Sequence, residues 1–493
     1  MDIKRASGLI LHPTALPSKY GIGDFGSSAY TLIDKLSESK TSLWQVLPLG
    51  ITDEIEFSPY SSKSSVLGNP YLISLEEFEE NIVDKQALEK LKNLSSNEVE
   101  YKKVYKEKDI LLKELSKKFN IKDPHVQNFL KKPLIKEHLV FITLSSVLGE
   151  NWLNWKDEFQ NYSSDLFKHV ITEYEEELKF NIFTQFQFDQ QWYKLKEYAN
   201  SKNVHILGDI PIYVNHNSAD VWLNKNLFDL DENNSMSYVS GAVPDSFTKD
   251  GQIWGTALYD WDVHLNENYK YWIEKLNIQL EKYDFLRIDH FIGFFKFWAI
   301  PKGESALNGH WRDGPWKTFF DIVSKHVPFE KLLAEDLGVV LKETDTILQK
   351  YNIPGMLLLE QRIPNGDGTK EIHPKEWPTN VAAYTGTHDS QTIKQWFENA
   401  NNIQIKSFLN YLEANNQKST NNVWDFISLV WSTKCLIAIT TVQDLLELDG
   451  SARFNIPGTQ NNNWKWRLKS LNHLDEPLHA LKNLNEKFKR INT

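Results

Sequence analysis

Three acidic motifs in the second half of the chain each close a short apolar run. They are Phe285-Leu-Arg-Ile-Asp-His290, Leu332-Leu-Ala-Glu-Asp-Leu-Gly338 and Tyr384-Thr-Gly-Thr-His-Asp389. The runs leading into them, Tyr283 to Ile288, Lys331 to Ala334 and Val381 to Tyr384, have the character of buried strands. A carboxylate just past the C-terminal end of such a strand stands where a (β/α)₈ barrel carries its catalytic groups. The same position is poor for stability, because the charge must be solvated or paired. Three carboxylates meeting in one cleft are the equipment of glycosidic-bond chemistry: a nucleophile, a proton donor and one further acid. Taken singly, each motif reads equally well as a helix cap or an arginine partner. Taken together, with Gly338 and Gly386 beside them, they favour catalysis.

Within the first motif, Arg287 and Asp289 are two apart on a strand and so share a face. A guanidinium beside a carboxylate favours the anionic form that a nucleophile needs. A proton donor has the opposite requirement, so Glu335 must be desolvated or sit near negative charge to stay protonated at neutral pH. Asp336 points the other way from Glu335 and reads as structural.

Elements that would position these groups are legible along the chain. Gly8 to His12, Leu43 to Leu49, Val204 to Pro211, the runs ending at Asp289 and Glu335, Gly355 to Glu360, Val381 to Gly386 and Leu436 to Val442 make eight strand candidates. Asp24 to Ser39 has helical periodicity, so the chain opens on a strand–helix–strand unit and a parallel sheet. The expected fold is α/β, a (β/α)₈ TIM barrel with helical and loop insertions and no C-terminal β-sandwich. One catalytic barrel over 1–493 carries a Lys/Glu-rich helical insertion at 76–200, after strand 2. A second insertion at 215–265, after strand 3, is rich in Asn, Asp, Gly, Trp and Tyr and reads as a loop covering the cleft. No glycine-rich phosphate fingerprint follows any strand.

Bulk properties set limits on function. A net charge of −11 over 493 residues disfavours nucleic acid and anionic membranes as partners. Cys435 is the only cysteine, which excludes an intrachain disulfide and a cysteine zinc site. The N-terminal apolar run, Gly8 to Leu11, is shorter than the ~7–15 residues of a secretory core, so a cytoplasmic protein is expected. The 17 Trp serve both a large core and a sugar cleft, and composition alone does not separate the two.

Nearly the whole chain resembles the 4-α-glucanotransferases of the amylomaltase, or disproportionating-enzyme, type, a branch of the α-amylase clan. The resemblance is carried by Gly8-Leu-Ile-Leu-His-Pro-Thr-Ala-Leu-Pro17, Trp44-Gln-Val-Leu-Pro-Leu-Gly50, Ser58-Pro-Tyr60 and Gly208-Asp-Ile-Pro-Ile-Tyr-Val214. Gly251-Gln-Ile-Trp-Gly255, the three acidic motifs and Arg453-Phe-Asn-Ile-Pro-Gly458 complete it. It implies Asp289 as nucleophile, Glu335 as general acid and base, and Asp389 as the third carboxylate, which holds sugar hydroxyls and distorts the ring. It further implies Asp209 and His388 as sugar-hydroxyl ligands and Tyr60 as the aromatic platform. Gln252 and Trp254 would cover the acceptor side, Arg287 would flank the nucleophile, and Asn455 would overhang the cleft. The implied partners are α-1,4-glucans as donors and glucose or maltooligosaccharides as acceptors, with no metal or other cofactor.

The chain departs from the family pattern at Ser390-Gln391-Thr392, where Asn-Asp-Thr is usual, and at Thr256-Ala257, where Asn-Pro is usual. Ile51 to Phe57 replaces a glycine-rich turn, and Ser61 stands where Gln is common. These changes border the cleft and remove no acid. Two other readings stand beside transfer: an α-1,4-glucan hydrolase, in which water resolves the intermediate, and a catalytically dead glucan-binding protein.

Overall fold

The computed structural model describes residues 5–244, 250–339, 341–366 and 372–491. Eight parallel strands form its central sheet: β1 (Ala6–Ile10), β2 (Leu43–Gln45), β3 (His205–Pro211), β4 (Phe285–Asp289), β5 (Leu332–Ala334), β6 (Gly355–Leu358), β7 (Val381–Tyr384) and β8 (Ile437–Thr441). Their spatial order is β6-β7-β8-β1-β2-β3-β4-β5. The seam between β5 and β6 is joined by two bonds: Ala334 N–H donates to the Pro354 carbonyl at 2.9 Å, and Met356 N–H to Asp336 Oδ1 at 2.7 Å. A side chain thus supplies part of the missing ladder and nearly closes the barrel. Gly355 makes room for it, since a Cβ there would lie 2.5 Å from Asp336 Oδ2.

Strands this short hold because both faces are buried. Inward-pointing residues from every strand form one apolar plug: Ala6, Ile10, Leu43, Leu207, Phe285, Leu333, Met356, Leu358, Ala382, Tyr384, Ile437 and Ile439. The two-residue period then carries the same face upward from Leu43 to Gln45, Leu207 to Asp209, Phe285 to Arg287 and Asp289, and Leu333 to Glu335. On these four strands the apolar floor gives way to polar side chains at or near the C-terminal end. At the opposite end the buried Arg490 guanidinium donates to the carbonyls of Ala6, Trp431, Thr433 and Cys435, which fastens β1 to the chain before β8. That end reads as stability, the other as chemistry.

The regions between strands refine the expectations. Helices Lys85–Lys92, Tyr101–Ser116, Pro124–Phe129, Ile135–Leu148 and Ser164–Glu173 lie between β2 and β3. The sixth, Glu175–Ser201, serves the barrel itself: Trp192 Nε1 donates to the Lys282 carbonyl at 3.0 Å, and Tyr198 hydroxyl to Asp34 at 2.7 Å. The 215–265 segment is more ordered than a loop. Its described part contains helices Ala219–Leu223 and Trp261–Asn266 and strands Tyr238–Ala242 and Gln252–Ile253; residues 245–249 lie outside the described residues. Those strands join Lys296–Pro301 and His310–Asp313 in a four-stranded antiparallel sheet on the rim. Strands as short as Tyr-Val-Ser-Gly-Ala and Gln-Ile carry too little periodicity to register in the sequence. Gly355 to Leu358 is strand, whereas Glu360 belongs to the short helix Leu359–Arg362. No strand follows β8 among the described residues, and no helix there is long and apolar enough to cross a membrane.

Candidate active site

Arg287 is the centre of the polar layer. Its Nη1 lies 2.6 Å from Asp209 Oδ2 and 2.9 Å from Asp289 Oδ1, with the Asp209 and Arg287 side chains 0% and 4% exposed and Asp289 29% exposed. The strand register places Asp209 directly opposite Arg287, and Asp289 follows two residues up the same face. Burial pushes the Asp209 carboxyl up to about 7 against the pull of Arg287, and the Asp289 charge adds to the rise. Asp209, expected to bind a sugar hydroxyl, has no accessible surface. It holds Arg287 from one side and accepts from the Tyr60 hydroxyl at 2.9 Å.

Glu335 stands just past β5, on the strand beside Asp289. Its Oε2 accepts from the His290 backbone N–H at 2.8 Å and its Oε1 from Leu337 N–H at 2.8 Å. Those bonds and Arg287 favour the anion, yet burial, helped by the Asp289 charge, outweighs them and raises Glu335 to about 8. His290 itself adopts a left-handed conformation, φ 52°.

Asp389 lies past β7, its side chain 32% exposed. Oδ1 accepts from Asn455 Nδ2 at 2.6 Å, and Oδ2 is 3.3 Å from His388 Nε2. Burial alone would raise this carboxyl, but His388, Asn455 and Arg287 overcome it and hold it at about 2. The same ion pair raises His388 despite the ring's burial. Asn455 also donates its backbone N–H to the His388 carbonyl at 3.1 Å, and Arg453 Nη2 donates to the Asp389 carbonyl at 2.8 Å.

Aromatic rings frame these groups. Tyr60 is stacked on His388 with centroids 5.1 Å apart and meets Trp464 at 5.9 Å. Its loop is tied to the segment after β3: Asn215 Nδ2 donates to Ser61 Oγ at 3.1 Å and Ser65 N–H to Asp220 Oδ2 at 2.9 Å. Trp254 meets the His290 ring edge-to-face at 4.6 Å, and its Nε1 donates to Gln252 Oε1 at 3.2 Å. The rim sheet thereby places both residues beside the Asp289–His290 step.

All ten residues singled out in the sequence therefore gather at the C-terminal end of the barrel, with Asp209 below the accessible layer. Sequence reasoning passed over His290, Arg453, Trp464 and Glu360. His290 and Arg453 lie inside the quoted motifs, but their contacts run through backbone groups and leave no residue-type signature. Among the described residues, no group of three or more His, Cys, Asp or Glu side chains is placed to hold a metal ion.

A nearly closed parallel barrel whose C-terminal mouth carries a buried carboxyl raised by desolvation beside an arginine-paired, partly exposed one, under aromatic rings, defines an enzyme of glycosidic-bond chemistry. The comparisons give the family. Residues 11–473 match the family model of 4-alpha-glucanotransferases. The chain is 37% identical over 470 residues to the 4-alpha-glucanotransferase of Aquifex aeolicus, covering 94% of this chain and 96% of that one. It is 36% identical over 471 residues to the enzyme of Clostridium butyricum, covering 93% and 95%. The amylomaltase of Streptococcus agalactiae, solved in complex with acarbose, matches with a TM-score of 0.92 at 30% identity, covering 99% of this chain and 100% of that chain. The chain belongs to the 4-alpha-glucanotransferase family. It is a glycosyltransferase that acts on α-1,4-glucans.

Proposed function

We propose that transfer proceeds by double displacement on Asp289. An Asp289 oxygen attacks the anomeric carbon of an α-1,4-linked glucose as the bond to the leaving 4-oxygen breaks, and Glu335 gives that oxygen its proton. A 4-hydroxyl of an incoming glucan or glucose then returns a proton to Glu335 and displaces Asp289, restoring the α-linkage. The observation that carries this reading is the difference between two carboxyls on neighbouring strands. Glu335 is raised to about 8 and so is protonated at neutral pH, while Asp289 is paired with Arg287 and open to the cleft.

In this reading Asp389, with His388 beside it, binds the hydroxyls of the reacting sugar, and Tyr60 is the platform. Asn455 orients Asp389, while Asp209 fixes Arg287 and Tyr60. Gln252 and Trp254 cover the acceptor side, so that 215–265 shields the intermediate from water while 76–200 remains an insertion in one barrel over 1–493. Glucose and maltooligosaccharides are the acceptors. A cytoplasmic location accords with a single, buried cysteine.

The test is incubation with maltotriose beside an Asp289→Asn control, with products resolved by chain length. Glucose plus chains longer than the input, absent in the control, is the expected result. A control that still elongates chains would remove Asp289 from its assigned role.

A further inference from the structure

Two acids near the site, the half-buried Glu360 and the buried Asp444, take no part in the chemistry above, and both hold the loop that carries Asp389. Glu360, just beyond β6, accepts a hydrogen bond from the Ser390 hydroxyl through Oε1. The same Ser390 oxygen accepts from Thr387 N–H at 3.1 Å, and Ser390 N–H reaches the Thr387 carbonyl at 3.2 Å. Thr387 to Ser390 is therefore a closed turn with His388 and Asp389 at its centre. Asp444, in the helical turn Val442–Leu445 after β8, accepts from Thr385 Oγ1 at 3.1 Å and from Ile393 N–H at 2.8 Å. One acid grips the two ends of the loop and the other its middle. The turn is tightly packed, since a Cβ on Gly386 would stand 2.9 Å from Ser390 Cβ.

The setting is unfavourable for either acid. Burial raises Glu360 to about 7, with the Asp444 charge adding to the rise and Arg453 opposing it, and raises Asp444 to about 6. Groups held against such a cost collect where geometry matters to function. Ser390 is also a position at which the chain departs from the family pattern, so the resemblance does not imply its contact with Glu360.

We propose that Glu360, acting through Ser390, is a positioning residue that fixes Asp389 against the reacting sugar. It rests on the reading of Asp389 as the third carboxylate. In this role Glu360 touches no substrate; it sets the turn that aims Asp389, which Asn455 and Arg453 also hold. Asp389 interacts most strongly with a distorted sugar, so misplacing it costs turnover more than affinity.

The experiment is steady-state maltotriose disproportionation by Ser390→Ala, Glu360→Ala, Glu360→Gln, the Ser390→Ala/Glu360→Ala double variant and Asp389→Asn. Each is checked for folding by circular dichroism and melting. Ser390→Ala and Glu360→Ala should each lower kcat by about tenfold with KM within about twofold. The double variant should fall little further than Ser390→Ala, because that substitution already removes the Ser390–Glu360 bond along with the Thr387 N–H contact. Glu360→Gln should recover most of the loss, since its amide oxygen still accepts from Ser390. If Glu360→Ala does not fold, Glu360→Leu, which also removes the acceptor and leaves Ser390 and its Thr387 contact in place, decides the matter by the same criterion. Wild-type kcat in folded Ser390→Ala, or fully additive losses, would overturn the proposal. Wild-type activity in Asp389→Asn would instead overturn the reading beneath it.

Discussion

The backbone N–H of His290, the residue after Asp289, donates to Glu335 Oε2 at 2.8 Å. The two central carboxyls are thus linked by a rigid path: Asp289 ends β4, and the next peptide holds Glu335 just past β5. The Phe291 N–H adds a second tie, to the Glu335 carbonyl at 2.9 Å. Positions set by neighbouring parallel strands vary little, which suits a reaction whose two partners must keep a fixed separation.

This arrangement predicts the alkaline behaviour of the enzyme. In the proposed mechanism Glu335 must carry its proton to assist departure, and burial with the Asp289 charge raises it to about 8. Activity is therefore retained below that value and lost as pH rises through it. The alkaline limb of kcat/KM on maltotriose should fall near pH 8. Glu335→Gln should lose about 10²–10⁴-fold on maltotriose, yet still cleave an α-maltosyl fluoride, whose leaving group needs no acid. Equal losses on both donors would mean that Glu335 is not the acid.

Tyr60 separates two functions that one substitution series can measure. Its hydroxyl donates to buried Asp209 at 2.9 Å, and its ring lies on His388 with centroids 5.1 Å apart. Tyr60→Phe keeps the ring but leaves Asp209 short of a donor; a hydrogen bond to a charged group is worth about 1.5–3 kcal/mol, so kcat/KM should fall roughly tenfold or more. Tyr60→Ala also removes the platform and should cost at least a further order of magnitude. If Phe and Ala lose equally, the ring adds nothing beyond its hydroxyl.

What the sequence disclosed follows from where its patterns are strongest. The eight barrel strands were legible because strands buried on both faces read as apolar runs, and the acids because they interrupt those runs at their ends. The rim strands Tyr238–Ala242 and Gln252–Ile253 were not, being short and interrupted by Ser240 and Gly241. Asp209 was identified as part of the site but not as a buried holder, since motif position says nothing of accessible surface. Glu360 was placed at a strand end, and its contact with Ser390 spans thirty positions between two loops, with no local periodicity to mark it.

Asp336 gives a prediction about the barrel rather than the chemistry. Its Oδ1 accepts from Met356 N–H at 2.7 Å across the β5–β6 seam. Asp336→Ala leaves that buried N–H unpaired and should lower stability by about 1–3 kcal/mol in urea denaturation. Asp336→Asn keeps an acceptor, and the comparison with wild type carries a sign. Burial raises the Asp336 carboxyl from 3.8 to about 6 although the Met356 bond opposes it. Its contribution is therefore fully present below about pH 4 and lost as pH rises toward 6. Stability of wild type relative to Asp336→Asn should decline across that window and then level off. A flat difference would show that the carboxyl is not desolvated on folding.

Trp254 bears on whether the glycosyl-enzyme meets a sugar or water. Its ring meets His290 at 4.6 Å, edge-to-face, beside the residue that carries the glycosyl group in the proposed mechanism. The Ser240 carbonyl accepts the Trp254 backbone N–H at 3.0 Å, which ties this residue to the rim sheet. Removing an indole from this place opens the acceptor side to solvent and takes away a face on which an acceptor glucose can pack. Water, always present at high concentration, then gains on the sugar. Trp254→Ala should release more reducing ends per cleavage and form fewer chains longer than the maltotriose supplied, while donor cleavage, read as first glucose release, falls less than elongation. Trp254→Phe, which keeps an aromatic face, should lie between the two. Should Trp254→Ala slow cleavage and elongation in equal proportion, the residue would be acting on the donor, and shielding of the intermediate would have to come from the segment bearing Asn455.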